Sequence, residues 1–584
     1  MRIILAKTAG FCMGVKRAMD QVLSIARDKS GPIFTYGPLI HNRQVVDMLE
    51  ARGICARTRF EGITKGTVLL RAHGAPPDVA ERLREAGLAV EDGTCPHVLK
   101  GQRSIARRSA EGYSTVIVGD RDHDEVVGLA GHARGRCHII ASVDEARAAP
   151  LDEKVLVVAQ TTFNEELFRQ ITEELRRRKP DIEIVDSICN ATSQRQEEAR
   201  ELARTVDAMV VVGGFHSANT RRLAEIAEST GTPTFHVETA DQLDVDRLAA
   251  YATVGVTAGA STPSWVTSTV LERLRHIGET RSGPAHLRGA LARVIIDGNL
   301  YVAAGAAALT YAVIKLLGLR FGSAWQRVSL MAAAFGYIFF AYFLGRWAEG
   351  RVGGSGLTRR GAFYRAHPAW MGVSCLLLAG ISIAALARFR WVVVGLLGVS
   401  YAIAAAYGIL ISPRRHGVLT LLRNIPASKD LFAAAGWTVV TVLVPTVAAT
   451  EPVEYEPVSG YAVAAVAGFV FGLAFIRSVM FDFSDVMADR LLGRDTLPAV
   501  IGVTPAKTVL AVLAVVLAVI LAVSAAFGGI GAVGYWMLLC PAYVLCYLLV
   551  SEEVIAASEH RCAAVVDGGM LLAGAIALLY TLWS

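Results

Sequence analysis

The chain has 584 residues, 53% of them hydrophobic and 19% charged, with a formal net charge of +6. These averages hide a division: residues 1–288 carry 38 Lys and Arg against 38 Asp and Glu, whereas residues 289–584 carry 20 against 14. A charge-balanced half followed by a charge-poor half excludes a single soluble enzyme, a disordered chain and a nucleic-acid binder, and leaves a soluble module joined to a membrane module.

Taken in chain order, the opening segment MRIILAKTAGFCMG has too short an apolar run for a secretory signal, so the soluble half is expected to start in the cytoplasm. The first 280 residues repeat one pattern of a short β-branched run, a polar or glycine-containing turn and an amphipathic helix. It is clearest in TVLLRAHGAPPDVAERLREAG, STVIVGDRDHDEVVGLAGHA, KVLVVAQTTFNEELFRQITEELRRR, AMVVVGGFHSANTRRLAEIAEST and ATVGVTAGASTPSWVTSTVLERLRHIG. Such alternation predicts an α/β fold with parallel sheets covered by helices, and ligands then bind beyond the carboxyl ends of the strands. Those positions hold His73, His123 and Glu125, Gln160, Thr161 and Thr162, Ser217 and Asn219, and Ser261. Each precedes a helix and has two readings: an ordinary N-cap, or one donor in an anion cradle built from helix N-termini.

The nine cysteines are scattered, odd in number and without a C-x-x-C pair, which argues against a disulfide framework or a zinc ribbon. Cys12 in GFCMGVKRA, Cys95 in DGTCPHV and Cys189 in DSICNATSQRQ each stand in a loop just before a helical stretch, where a thiolate is stabilised. Cys55 and Cys137 read as structural core thiols. Three thiolates can hold an iron-sulfur cluster while leaving one iron without a protein ligand.

In the order GFCMGVKRA, YGPLIHNRQVV, RAHG, DGTCPHV, GDRDHDEVVG, AQTT, DSICNATSQRQ, GFHSANTRRL and GVTAGAST, the first half resembles the 4-hydroxy-3-methylbut-2-enyl diphosphate reductase family from Met1 to about Gly278. The resemblance implies a three-lobed α/β domain over 1–280 with a 4Fe-4S cluster on Cys12, Cys95 and Cys189. It also implies a diphosphate held by His41, His73, His123, Ser217, Asn219 and Ser261, with Thr161 and Thr162 near the reacting end and Glu125 as proton donor. Ferredoxin or flavodoxin is the electron donor expected of such a family. Where the family has Ser-Ser-Asn, this chain has Ser217-Ala218-Asn219, which removes one hydroxyl worth about 1.5 to 3 kcal/mol as a hydrogen bond to a charged group. His216, just before the triplet, reads equally as a surface residue or a substitute donor.

After a linker at 281–292, apolar runs of spanning length recur near 300–318, 327–345, 369–387, 391–411, 431–449, 461–481, 506–528, 530–550 and 565–583, which predicts an all-α polytopic domain of about nine helices over 293–584. With the soluble half inside, the basic loops carrying Arg346, Arg351, Arg359, Arg360 and Arg365, and Arg414, Arg415, Arg423 and Lys429, also face inward, and the acidic loop TEPVEYEPVSG faces outward. Arg388 and Arg390 are the exceptions. RSVMFDFSDVMADRLLGRDTLP puts Asp482, Asp485 and Asp489 on one helical face, suited to Mg²⁺ bridging to a diphosphate, with Arg423, Asn424 and Lys429 as phosphate partners from RNIPASKDLF. The alternative is a solvated loop after a span.

This segment and the span count resemble the UbiA-type intramembrane prenyltransferases. The family's first aspartate motif does not recur: FLGRWAEGRVGG puts Gly345, Glu349 and Gly353 at its positions. The expectation is a reductase making isopentenyl and dimethylallyl diphosphate, fused to a lipid-embedded domain. That domain reads as a divergent transferase, as the principal catalyst fed by the first half, or as an anchor or platform.

Overall fold

The computed structural model describes residues 1–29, 31–279, 291, 294–351, 364, 367–410, 427–449, 459–492, 496–550 and 559–583. The chain divides into two compact units, Met1–Gly283 and Pro284–Ser584. Apart from Leu291, the expected linker at 281–292 lies outside the described residues.

The first unit holds three four-stranded sheets whose paired strands all run parallel. Along the chain the strands are β1 (Arg2–Leu5), β2 (Ile33–Tyr36), β3 (Ile54–Arg57), β4 (Thr67–Leu70), β5 (Ala89–Asp92), β6 (Ser114–Val118), β7 (Cys137–Ile140), β8 (Val155–Ala159), β9 (Glu183–Val185), β10 (Ala208–Val212), β11 (Thr234–Val237) and β12 (Thr253–Ala258). The helices are α1 (Met13–Asp28), α2 (Arg43–Glu50), α3 (Pro77–Glu85), α4 (Pro96–Ala110), α5 (Asp124–Ala130), α6 (Val143–Ala148), α7 (Glu165–Arg178), α8 (Asn190–Ala203), α9 (Ala218–Ser229), α10 (Val245–Leu248) and α11 (Ser264–Glu279).

The sheets are ordered β3-β2-β4-β5, β7-β6-β8-β9 and β11-β10-β12-β1. All three follow one topology, and the third is completed by the first strand of the chain. The sequence explains the burial of the inner strands. STVIV, VLVVA and AMVVV are unbroken small and β-branched runs, buried at every position, as required of strands covered on both faces. Helices start where side chains cap them: Asn42 Oδ1 accepts from Val45 N–H at 3.1 Å, Asn164 Oδ1 from Leu167 N–H at 2.9 Å and Ser142 Oγ from Glu145 N–H at 3.1 Å. Such a cap is worth about 1 kcal/mol.

Among the described residues of the second unit, six helices are long and apolar enough to cross a membrane: Ala324–Gly345, Pro368–Ala385, Ser428–Ala448, Gly460–Phe483, Val503–Ala526 and Arg561–Trp583. The other three predicted runs form the apolar helices Leu300–Leu316, Trp391–Leu410 and, broken by a turn at Met537–Leu538, Val533–Trp536 and Leu539–Leu549. Within Ser428–Ala448 a π turn at Val439–Leu443 precedes Pro445, whose missing N–H and bulky ring disrupt regular α bonding there. Val503–Ala526 buries Leu510, Ala514, Leu517 and Leu521 and exposes Val512, Val515 and Val519, an apolar outer face of the kind a lipid surrounding requires. Arg477 Nε donates to Asp567 Oδ1 at 2.6 Å with both side chains 2% exposed. The guanidinium also lies over the rings of Tyr342 and Phe481. The inward-loop assignment for Arg359, Arg360, Arg365, Arg414, Arg415 and Arg423 falls outside the described residues, as do the side chains of Arg346 and Arg351.

Candidate functional site

Three equivalent strand positions in the three sheets feed one cleft. The outer strands β5, β9 and β1 lead to Cys95, Cys189 and Cys12, which are the N-cap residues of α4, α8 and α1. The neighbouring strands β4, β8 and β12 lead to His73, Thr161 and Ser261. The next, β2, β6 and β10, lead to His41, His123 and Ser217. The opposite edges, β3, β7 and β11, contribute nothing. Cys55 and Cys137 sit there on β3 and β7, half-buried and packed against core clusters. The cleft opens to solvent and is lined by all nine of these end residues, with Glu125, Thr162, Ala218 and Asn219.

The cysteine end fits a metal cluster by its donor chemistry. All three thiols are free and only partly buried, and each faces the positive end of a helix. Gly14 lets α1 close on them: a Cβ there would lie 2.7 Å from Cys95 Sγ and 3.9 Å from Cys12 Sγ. Burial pushes the Cys95 thiol above its ordinary pKa, so a ligand that takes up the thiolate is needed to hold it charged.

The histidine end is compact. Ring centroids are 4.7 Å apart for His41 and His73, 5.5 Å for His73 and His123, and 5.9 Å for His41 and His123. Burial lowers all three pKa values, that of His123 to about 4, so the cleft holds neutral rings, which a bound anion would shift back toward the charged form. His73 Nδ1 and both amide atoms of Asn219 are buried without a hydrogen-bond partner, as is His41 Nε2, whose nearest charge is Asp124 Oδ2 at 3.9 Å, a set of polar groups suited to a polar ligand. Ser261 Oγ and Ser217 Oγ lie 3.4 Å apart. Ala218 opens α9 between Ser217 and Asn219 and brings no hydroxyl, while His216 is exposed.

Between the two ends lies Glu125, 1% exposed. Its carboxyl accepts from Thr161 N–H at 2.6 Å and Thr161 O–H at 2.8 Å. Burial raises its pKa to about 7 and outweighs those two bonds, which favour the charged form. Gln160 Nε2 donates to Thr162 Oγ1 at 2.9 Å and so orients that hydroxyl.

Some residues of the site were not foreseen. Arg195, six residues beyond Cys189, is 5% exposed and lines the cleft. Arg71 bonds Asp124 at 2.6 Å behind His41. Arg195 lay inside the DSICNATSQRQ segment, but a polar residue on a helix carries no sign of inward aim.

In the second unit, Asp482 and Asp489 lie on the helix Gly460–Leu492, 2% and 3% exposed, and not in a solvated loop. Lys429 Nζ is 3.3 Å from Asp482 Oδ1. Asp430, overlooked beside Lys429, is fully buried and accepts from Ser478 O–H at 2.6 Å. Oδ2 of Asp430 and of Asp482 meets no donor among the described residues, and the two carboxyls lie against one another. Arg423, Asn424, Gly353 and the side chains of Glu349 and Asp485 fall outside the described residues, and Gly345 has open space around it.

The LytB protein family model matches residues 3–275. A 4-hydroxy-3-methylbut-2-enyl diphosphate reductase of Geobacter sulfurreducens is 45% identical over 283 residues, 48% of this chain and 100% of that protein. The solved E-1-hydroxy-2-methyl-but-2-enyl-4-diphosphate reductase of Plasmodium falciparum is 27% identical, covering 49% of this chain and 89% of that one with a TM-score of 0.45. A solved UbiA homolog of Archaeoglobus fulgidus bound to GPP and Mg²⁺ is 15% identical, covering 49% of this chain and 98% of that one with a TM-score of 0.36. Identity of 45% along the whole length of a curated relative decides the matter for the first unit: the chain belongs to the LytB family, that of the 4-hydroxy-3-methylbut-2-enyl diphosphate reductases.

Proposed function

We propose that the first unit reduces (E)-4-hydroxy-3-methylbut-2-enyl diphosphate to isopentenyl and dimethylallyl diphosphate, with a 4Fe-4S cluster on Cys12, Cys95 and Cys189. The observation that carries this reading is the convergence of those thiols, one from each sheet, on the cleft that also holds Glu125 and three histidines. The cluster supplies the electrons. The protein does the rest. His41, His73, His123, Ser217, Asn219 and Ser261 bind the diphosphate and fix the alcohol end toward the cysteines, beside Thr161 and Thr162. Glu125 holds a proton for the departing hydroxyl, which leaves as water as the C–O bond breaks; two electrons and a second proton, which forms the new C–H bond, complete the reduction.

A soluble ferredoxin or flavodoxin is the electron source, and the first unit faces the cytoplasm while the second is embedded in lipid. The test is an anaerobic assay of iron, acid-labile sulfide and reductase activity on the full chain in detergent. A cluster-free protein with full activity sinks the reading.

The Ala218 position adds a quantitative check. Ala218→Ser restores a hydroxyl at the first turn of α9. Inorganic pyrophosphate, measured as a competitive inhibitor, is expected to bind about tenfold more tightly, the effect of one hydrogen bond to a charged group. An unchanged inhibition constant rules out a diphosphate contact there.

A second reading concerns the second unit: a divergent Mg²⁺-dependent prenyltransferase. The buried carboxylate oxygens of Asp430 and Asp482 that meet no donor among the described residues, beside Lys429, favour it over an inert anchor, since buried charge in a membrane is costly unless used. Membranes carrying the chain, supplied with prenyl diphosphate, Mg²⁺ and aromatic acceptors, are expected to form product that Asp482→Asn abolishes. Absence of product, or product indifferent to that substitution, leaves the anchor or platform reading.

A further inference from the structure

The turn that carries His123 and Glu125 is tied to a sheet other than its own. Arg71 directly follows β4, and Asp124 is the first residue of α5, which follows β6. Arg71 Nη1 donates to Asp124 Oδ2 at 2.6 Å, and the same oxygen lies 3.9 Å from His41 Nε2. The bond therefore joins the sheet β3-β2-β4-β5, which supplies His41 and His73, to the sheet β7-β6-β8-β9, which supplies His123.

The guanidinium is enclosed on its other sides. Arg71 is 8% exposed, lies 5.5 Å from the centroid of the Tyr36 ring, and fills space beside Gly37, where a Cβ would stand 2.6 Å from Nη1. Gly37 has a φ of +71°, so that turn favours glycine on both counts. Apolar packing holds α5 further along, where a Cβ at Gly131 would meet Pro76 Cβ at 2.7 Å. Asp120, at the start of the turn, faces Arg222 at 3.8 Å, but that arginine pairs with Glu225 at 2.7 Å and adds little. Three consecutive residues then divide the tasks. His123 Nδ1 accepts from Glu125 N–H at 3.2 Å and caps α5, Asp124 reaches Arg71, and Glu125 reaches Thr161.

We propose that Arg71 and Asp124 are positioning residues for the diphosphate: their bond between two sheets fixes His123 relative to the His41 and His73 pair. The inference rests on the diphosphate reading of the histidine cleft. Neither residue lines that cleft, so both act through the rings. By charge alone Asp124 works against an incoming diphosphate. Its contribution to binding is therefore geometric, which gives the test a sign.

The test is a calorimetric titration of inorganic pyrophosphate into the full chain in detergent, without Mg²⁺. Asp124→Ala is expected to weaken binding about tenfold, the lower end of what losing a residue that orients a ligand group costs. In the reductase assay it should raise KM more than it lowers kcat, because Glu125 keeps its two bonds to Thr161. A carboxylate acting only by its charge would give tighter binding when removed, and tighter or equal binding overturns the proposal. The double variant Arg71→Met, Asp124→Ala leaves no buried cation without its anion, and so covers the case in which the single variant folds poorly. It is expected to bind as weakly as the single variant, and wild-type affinity in it overturns the proposal. A second measurement needs no ligand: amide hydrogen exchange of the free chain, read by mass spectrometry. The amides of α5 are expected to exchange faster in both variants, with those of α7 unchanged, and equal exchange in α5 overturns the proposal. A wild type that binds no pyrophosphate removes the diphosphate reading, and the exchange rates still decide whether the pair holds the turn.

Discussion

Cys95→Ser is expected to remove the iron and acid-labile sulfide of the first unit and to lower reductase activity by at least about a hundredfold, more than the 10- to 100-fold typical of losing a residue that merely orients a ligand. The side chain is almost isosteric. Cys95 N–H donates to Ala72 O at 2.9 Å, a backbone bond the substitution leaves in place, and the side chain faces the His97 and Val98 N–H groups of α4, from which a serine oxygen can equally accept. The cluster-free variant should therefore melt as the cluster-free wild type does, within about 0.5 kcal/mol. What changes is the donor: serine oxygen is a harder ligand, far less ready to ionise, and suits an iron-sulfur core poorly. Cys55→Ser on the edge strand β3 serves as the control and should keep iron and activity. An active, iron-replete Cys95→Ser protein would falsify the assignment of the triad.

The elements that fixed this site were those the sequence writes locally. VLVVA and AMVVV can only be strands buried on both faces, and the residues after them are short and polar because they must turn into helices. Position after a strand was thus enough to nominate His73, His123, Thr161 and Ser217. What could not be read was which strands stand side by side. That Cys12 closes the same sheet as Ser217 and Ser261 depends on β1 pairing with β12 across some 250 residues, a long-range contact with no local sign.

Arg195 and Asp430 escaped for a related reason: charged residues are usually solvated, and only the fold shows that these two are buried. In the second unit hydropathy found the apolar runs because the lipid requirement is written into every residue of a span. It could not anticipate that the run near 530–550 would be broken at Met537–Leu538 into Val533–Trp536 and Leu539–Leu549.

Glu125→Gln is expected to lower kcat by about a hundredfold or more, the usual worth of a positioned proton donor, while pyrophosphate binding changes little. The pH dependence carries the sharper signature. With a pKa of about 7, Glu125 is protonated and competent below neutrality and loses its proton above it, so the wild-type rate should fall on the alkaline side. The same shift has an opposite consequence for the fold. A carboxyl raised from about 4.5 to about 7 penalises the folded state as pH rises: the penalty begins above the unfolded value and is complete above the folded one. It amounts to about 3 kcal/mol at pH 8, at about 1.4 kcal/mol per unit for a fully buried group. Glutamine carries no such penalty and can still accept the Thr161 amide through its carbonyl oxygen, giving up only the second of the two bonds. In the absence of substrate the inactive Glu125→Gln chain should therefore be the more stable at pH 8 and lose that advantage by pH 5. Urea unfolding of the first unit's signal at the two pH values decides it: a wild type as stable as the variant at pH 8 would mean that Glu125 is not held as a neutral acid in the cleft.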